Sequence, residues 1–330
     1  MHISGHYILH RVKFFIIRGT KGCVMDTITV IRFKPLTIDS VAEIMPLLEY
    51  AASRTCDYTV AGLLMWTDYF KYEYAIVDNT LFIKGVDEND MSTPAFSMPI
   101  GAMPLPVALR MVAAYCRANG MPLRFSAVPE DRLGDFYSLG ACHIEELTDW
   151  ADYLYDAEAL ATLPGNKYSK KRNHVNRFMT EHPGYRYERL TSELVPAVRD
   201  FYLGIASPKE GTEATAAEER RQVFNVLDNY CRLPFEGGVL STPDDGIVAF
   251  AIGEVIGDTL YVHIEKMRHD INGAGETINK MFASDMRERH GVAFINREED
   301  VGDEGLRKAK MSYHPAMLLK KYDLSVISNA

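Results

Sequence analysis

The chain has 330 residues, of which 47% are hydrophobic and 25% charged, and its formal net charge is −9. That length exceeds most single cores and points to two domains, while the balance of apolar and charged residues excludes disordered, collagen-like and fibrous classes. No run approaches the roughly eighteen consecutive apolar residues of a membrane span, and an acidic body confines any polyanion site to a local patch.

Residues 1–25 carry Arg11, Lys13, Arg18 and Lys21 and no acid, so this stretch is +4 and the remainder is −13. The apolar run Tyr7 to Ile17 is interrupted by His10, Arg11 and Lys13, too polar for a secretory signal. It reads as an N-terminal extension outside the fold, with Met25 as the natural start. Cys23, Cys56, Cys116, Cys142 and Cys231 lack Cys-x-x-Cys spacing and are odd in number. Buried thiols in a reducing, cytoplasmic compartment fit them better than disulfides, and no metal site is expected.

After Met25, Ile28 to Phe33 predicts a strand, and Asp39 or Ser40 caps a helix through Ala52. Tyr74 to Val77 and Thr80 to Gly85, separated by Asp78-Asn79, predict a hairpin. Strands at Phe96–Ile100 and Leu123–Val128 flank a helix from Pro106 to Asn119, stopped by Gly120, and a short helix follows from Pro129 to Ser138. Two more strands fall at Cys142–Leu147 and Asp152–Tyr155. The stretch Asn166 to Arg177 then holds five basic residues and no acid.

The second half repeats the order of the first. Tyr185–Leu190 is a strand, and helices run from Ser192 to Ile205 and from Thr215 to Cys231. A meander follows at Gly238–Leu240, Gly246–Val255 and Thr259–Lys266; then come a helix at Gly273–His290, a strand at Val292–Asn296, a helix at Gly302–Ser312 and a last strand within Ala316–Val326. This is the element order of the Gcn5-related acetyltransferase (GNAT) fold. The expected architecture is two tandem GNAT-like α/β domains, residues 26–150 and 151–330, with the active site in the second.

Three constellations carry candidate chemistry. In Thr259–Lys266, strand alternation puts Tyr261, His263 and Glu265 on one face, a polar face that must pair, meet water or line a cleft. The glycines Gly273 and Gly275 then open a helix whose free N–H groups suit phosphate, although Asp270 stands where GNAT pyrophosphate loops carry a cation or amide. The run Asn296-Arg297-Glu298-Glu299-Asp300 lies at a strand's C-terminal end, where α/β folds place their sites; Arg307, Lys308 and Lys310 follow in a helix, and Tyr313 closes it as a candidate proton donor. The basic run offers Lys167, Lys170, Lys171, Arg172, Asn173 and Asn176 to an anion such as a tRNA backbone or a lipid head group.

Lys170 to Phe178, Val262 to Lys266 and Asn296 to Pro315 together resemble the soluble members of the DUF2156 family, related to the C-terminal domain of phosphatidylglycerol lysyltransferase. The resemblance covers about Thr27 to Leu324, with the last motif the most specific. It implies tandem GNAT folds akin to the Fem-type aminoacyltransferases, and a donor substrate, aminoacyl-tRNA or acyl-CoA, in place of a tightly bound cofactor. The acceptor is expected to be an amine or hydroxyl on a small molecule or lipid head group. On this reading Glu265 or Glu298 accepts the acceptor's proton, backbone donors at the splayed strand hold the oxyanion, Tyr313 protonates the leaving group, and Lys171 and Arg172 hold donor phosphates. An acyl-CoA N-acetyltransferase and a non-catalytic module binding a nucleotide or amino acid on a degenerate GNAT fold are the alternatives.

Overall fold

A computed structural model describes residues 31–88, 90–205 and 213–327; the expected N-terminal extension and residues 28–30 of the first expected strand lie outside them, and the rest of that strand, 31–33, is irregular, the first strand being Lys34–Pro35. The first half runs β1 (Lys34–Pro35), α1 (Val41–Leu48), α2 (Val60–Leu64), α3 (Thr67–Phe70), β2 (Glu73–Val77), β3 (Thr80–Val86), β4 (Pro94–Phe96), β5 (Ile100–Gly101), α4 (Leu105–Asn119), β6 (Arg124–Pro129) and β7 (Cys142–Glu146). The second runs β8 (Asp152–Asp156), α5 (Ala157–Thr162), α6 (Ser169–Glu181), β9 (Arg186–Arg189), α7 (Val195–Ile205), α8 (Glu213–Asp228), β10 (Phe235–Thr242), β11 (Gly246–Ile256), β12 (Thr259–Met267), α9 (Ala274–His290), β13 (Phe294–Asn296), α10 (Glu304–Met311), β14 (Met317–Leu319) and β15 (Lys321–Val326). Among the described residues no helix is long and apolar enough to cross a membrane.

Local chemistry sets the element ends. Asp78 and Asn79 both take positive φ between β2 and β3, the turn that right-twisted hairpin strands require. α4 starts beside Pro104 and Pro106, stops at Gly120 in the left-handed region, and buries Ala108, Leu109, Val112 and Cys116, a stripe at helical spacing. α9 buries Ala274, Ile278, Phe282 and Met286 along one face and ends with Arg287, Arg289 and His290 against its negative pole. The expected helix from Pro129 to Ser138 is a 3₁₀ segment, Glu130–Leu139.

The first sheet has the order β1-β2-β3-β4-β6-β15-β7, with β5 beside β3, and the second, read from its far edge, has β9-β10-β11-β12-β13-β8-β14. In each, four antiparallel strands meet a fifth in parallel, β4 with β6 and β12 with β13. The next place is filled from the other half: β15 lies between β6 and β7, and β8 lies between β13 and β14. The two repeats have exchanged one strand each. Residue 150 therefore marks where the chain leaves the first sheet, but its last 6-residue strand, expected in the second, returns to complete the first. The described residues accordingly belong to one compact unit.

Candidate active site

β12 and β13 pair only from Thr259–Phe294 to Tyr261–Asn296. Beyond that point β12 continues to Met267 while the chain after Asn296 turns away, leaving a wedge between them. The pairing of β12 with β11 skips His263, passing from Ile252–Ile264 to Gly253–Val262. This bulge overturns the expected alternation, because one extra residue reverses the facing of everything beyond it. Tyr261 and His263 face the first half, and Glu265 faces α9. Gly253 supplies the room: a Cβ there would lie 2.2 Å from the carbonyl oxygen of Tyr261.

On the first-half side, His263 is bonded through Nε2 to Glu254 Oε1 at 2.9 Å and through Nδ1 to Glu298 Oε1 at 2.6 Å. Glu254 also accepts the backbone N–H groups of Val60 and Ala61, at 3.1 and 2.8 Å, from the start of α2. Burial alone would strip the His263 proton, but the two carboxylates outweigh it and raise the pKa to about 10. The imidazolium form therefore stabilises the fold fully below the unfolded value near 6.5 and ceases to do so as pH rises through 10. Stability of the wild-type protein, measured by urea unfolding, is expected to fall between those two pH values by up to a few kcal/mol more than that of His263→Gln. Parallel pH profiles for the two proteins would refute the protonated pairing. Glu254 escaped the sequence reading; a lone carboxylate inside the apolar run Ile247 to Ile256 was the available sign.

On the α9 side, Glu265 accepts from Arg297 Nη2 at 2.9 Å and from Asn279 Nδ2 at 3.2 Å. The Arg297 guanidinium lies 5.0 Å from the Tyr313 ring centre and 5.9 Å from that of Tyr155. Lys171 Nζ stands 4.0 Å over the same Tyr313 ring and 3.4 Å from Glu276. Burial pulls Lys171 toward the neutral amine and pushes the Tyr313 phenol well above its usual range, so Tyr313 keeps its proton. Lys171 thus leaves the basic patch: Tyr168, Val175 and Phe178 are buried along the face it shares.

The rest of the basic stretch divides as well. Arg172 donates from Nη1 to the carbonyl oxygens of Leu163 and Gly165, both at 2.5 Å, and so closes the end of α5. Lys167, Lys170, Asn173 and Asn176 are exposed. In α10, Arg307 bridges Asp300 and Asp149 at 2.7 and 2.8 Å, Lys310 is buried with its ammonium on the carbonyl of Arg297, and Lys308 alone of the three is exposed and unpaired among the described residues.

The glycine pair also has a packing role. A Cβ on Gly273 would lie 2.3 Å from the carbonyl oxygen of His174 and 3.0 Å from Phe178 Cβ, so α6 rests directly on the start of α9. Gly273 and Ala274 are buried there. At this N-terminus, expected to cradle a phosphate, the first two residues are packed beneath the basic helix, while Gly275 and Glu276 stay partly exposed.

Behind the wedge lies a buried polar cluster. Asn296 donates to Arg54 O at 2.7 Å and to Asp152 Oδ2 at 2.8 Å, and accepts from the Glu298 N–H at 2.6 Å. Cys56, Asp57 and Asp152 bring a sulfur and two carboxylates within 4.8 Å of one another, a grouping able to hold a metal ion. Lys321 Nζ sits among them, 2.8 Å from Asp152, 3.0 Å from Asp57, 3.4 Å from Cys56 and 3.7 Å from Glu299. The chain supplies the positive charge itself. Asp152 and Asp57 hold the Lys321 ammonium against the pull of burial, and burial holds Cys56 as the thiol. Asp300, bonded to Tyr153 at 2.5 Å and to Arg307, is kept ionised down to about 2, chiefly by Arg307.

Residues 48–325 match the family described as phosphatidylglycerol lysyltransferase, C-terminal. A conserved protein of unknown function from Bacteroides thetaiotaomicron is 31% identical, covers 90% of this chain and all of its own, and superposes with a TM-score of 0.81. The DUF2156 C-terminal domain of an Agrobacterium fabrum protein assigned as a lysylphosphatidylglycerol synthetase is 15% identical over 88% of this chain and 92% of its own, with a TM-score of 0.62. FemX shares the fold at 10% identity, 90% and 98% coverage and a TM-score of 0.58. An uncharacterized protein of Mycoplasmoides gallisepticum is 23% identical over 53% of this chain, and the match spans only 56% of that curated relative.

Proposed function

The chain belongs to the phosphatidylglycerol lysyltransferase C-terminal family, and we propose on that premise that it is an aminoacyltransferase whose donor is aminoacyl-tRNA. The observation that carries the choice of donor is the seating of α6 on the first turn of α9, with His174 O against Gly273. A pyrophosphate needs the free N–H groups of that turn, and the burial of its first two residues, Gly273 and Ala274, under α6 counts against acyl-CoA. The family's name and that of its Agrobacterium fabrum relative both describe attachment of a lysyl group. A tRNA donor needs instead an exposed cationic surface, which Lys167, Lys170 and Lys308 offer on a chain of net negative charge.

In the proposed transfer, an acceptor amine or hydroxyl oriented in the wedge attacks the aminoacyl ester carbonyl, the C–O bond to the ribose breaks, and the proton lost by the acceptor returns to the ribose oxygen. Glu265 is assigned the relay of that proton. Protonating it leaves Arg297 still held by the Tyr313 and Tyr155 rings. Tyr313, which keeps its phenolic proton, donates a hydrogen bond to the departing oxygen.

Single-turnover discharge of bulk tRNA charged with an amino-acid mixture tests this reading. With Lys167→Glu and Lys170→Glu combined, affinity at about 0.15 M salt is expected to fall at least about tenfold and the salt dependence to flatten by about two counterions. Discharge by the double variant indistinguishable from wild type would remove this face from donor binding.

A further inference from the structure

The pair His263 and Glu254 does more than fill the first-half side of the wedge. Among the described residues Glu298 uses one carboxylate oxygen, Oε1, for His263, and no partner reaches its other oxygen. Its side chain is 26% exposed, against 1% for His263 and 2% for Glu254. Glu298 is thus the open end of a chain of charges that begins at two backbone N–H groups of α2, passes through Glu254 and His263, and stops at the wedge. Its backbone is held in the left-handed region at φ 57°, with its N–H on Asn296 Oδ1 and its carbonyl on Tyr153 N at 3.1 Å. A glutamate at positive φ is uncommon and persists where surrounding bonds enforce it.

We propose that Glu298 is the anchor for the α-ammonium of the transferred aminoacyl group, with His263 and Glu254 as positioning residues that fix its orientation and its charge. This rests on the aminoacyl-tRNA reading above. Glu298 suits charge recognition because one carboxylate oxygen is held on His263 while the side chain stays partly open to the wedge. The remaining groups around His263 fit that part: Phe235 packs at 6.1 Å between ring centres, and the nearby Lys310 ammonium is tied to the carbonyls of Arg297 and Glu299. The wedge thus presents a fixed, half-open negative charge to an incoming ester. An α-ammonium is the one cation every aminoacyl ester carries beside its carbonyl, so the anchor orders the reacting end of the donor whatever the side chain.

The test compares binding of aminoacyl-tRNA, N-acetylaminoacyl-tRNA and uncharged tRNA to the full chain at pH 6.5, using bulk tRNA charged with an amino-acid mixture. Wild type is expected to prefer the free-amine form at least tenfold over the acetylated one, and Glu298→Gln to lose that preference while keeping its affinity for uncharged tRNA. His263→Gln is expected to lose it too, although it leaves Glu298 in place. The His263 ring, followed by NMR in wild type and Glu298→Gln, reports whether the variant is folded. It should remain protonated above pH 8 in wild type and titrate lower in the variant. Equal binding of the free and acetylated forms by wild type would overturn the anchor and leave the tRNA reading standing; no binding of any tRNA would overturn both.

Discussion

Lys321→Met is expected to cost about 3–5 kcal/mol in urea unfolding, because it leaves buried carboxylates without their counter-charge. Lys321 is 1% exposed and Asp152 is fully buried, and Asp57 and Glu299 complete the cage. The position of this cage in the fold raises the stakes. Lys321 opens β15 and Asp152 opens β8, the two strands that the repeats exchange. Their ion pair lies where the exchanged strands cross between sheets, with Cys56 N bonded to Asp152 at 2.6 Å from the first half. Loss of the ammonium should loosen both sheets together. Adding Asp152→Asn to Lys321→Met should recover part of the loss, since one stranded charge is then removed. A cost below about 1 kcal/mol for Lys321→Met would show that the cage is not holding the exchange together.

Gly273→Ala is expected to cost about 2–4 kcal/mol, combining a left-handed backbone at φ 82° with a Cβ 2.3 Å from a backbone oxygen that cannot swing aside. Gly275→Ala is the control. Its new methyl meets the flexible end of Met267 at 3.0 Å, and its φ is ordinary for any residue, so a cost within about 1 kcal/mol is expected. Similar costs at the two positions would mean that α6 does not bear on the start of α9. The comparison matters for function, since the same contact is the observation on which the proposed choice of donor rests.

Much of the fold follows from local pattern. The Asp78-Asn79 turn, the proline and glycine bounds of α4, the meander β10 to β12 and the apolar spacing of α9 all read directly from residue types. The strand exchange does not, because β8 and β15 look like ordinary strands and nothing in their side chains names the sheet that receives them. The site suffered from two one-residue effects. The bulge at His263 separated a triplet that simple alternation joined, and Gly253, a glycine inside a strand, was its only trace. Lys171 reads as part of a cationic surface until the spacing of Tyr168, Val175 and Phe178 is followed around the helix, which turns it inward. Glu254 acts through partners 193 and 194 residues away, and Lys321 through one 265 residues away, distances that no local window spans.

The donor is settled most directly by isothermal titration of the full chain with acetyl-CoA and with aminoacyl-tRNA under the same conditions. Aminoacyl-tRNA is expected to bind and acetyl-CoA to give no heat at concentrations up to about 1 mM, a level at which a millimolar ligand would still register. Saturable acetyl-CoA binding without any response to aminoacyl-tRNA would contradict the aminoacyltransferase reading and restore the coenzyme-dependent one.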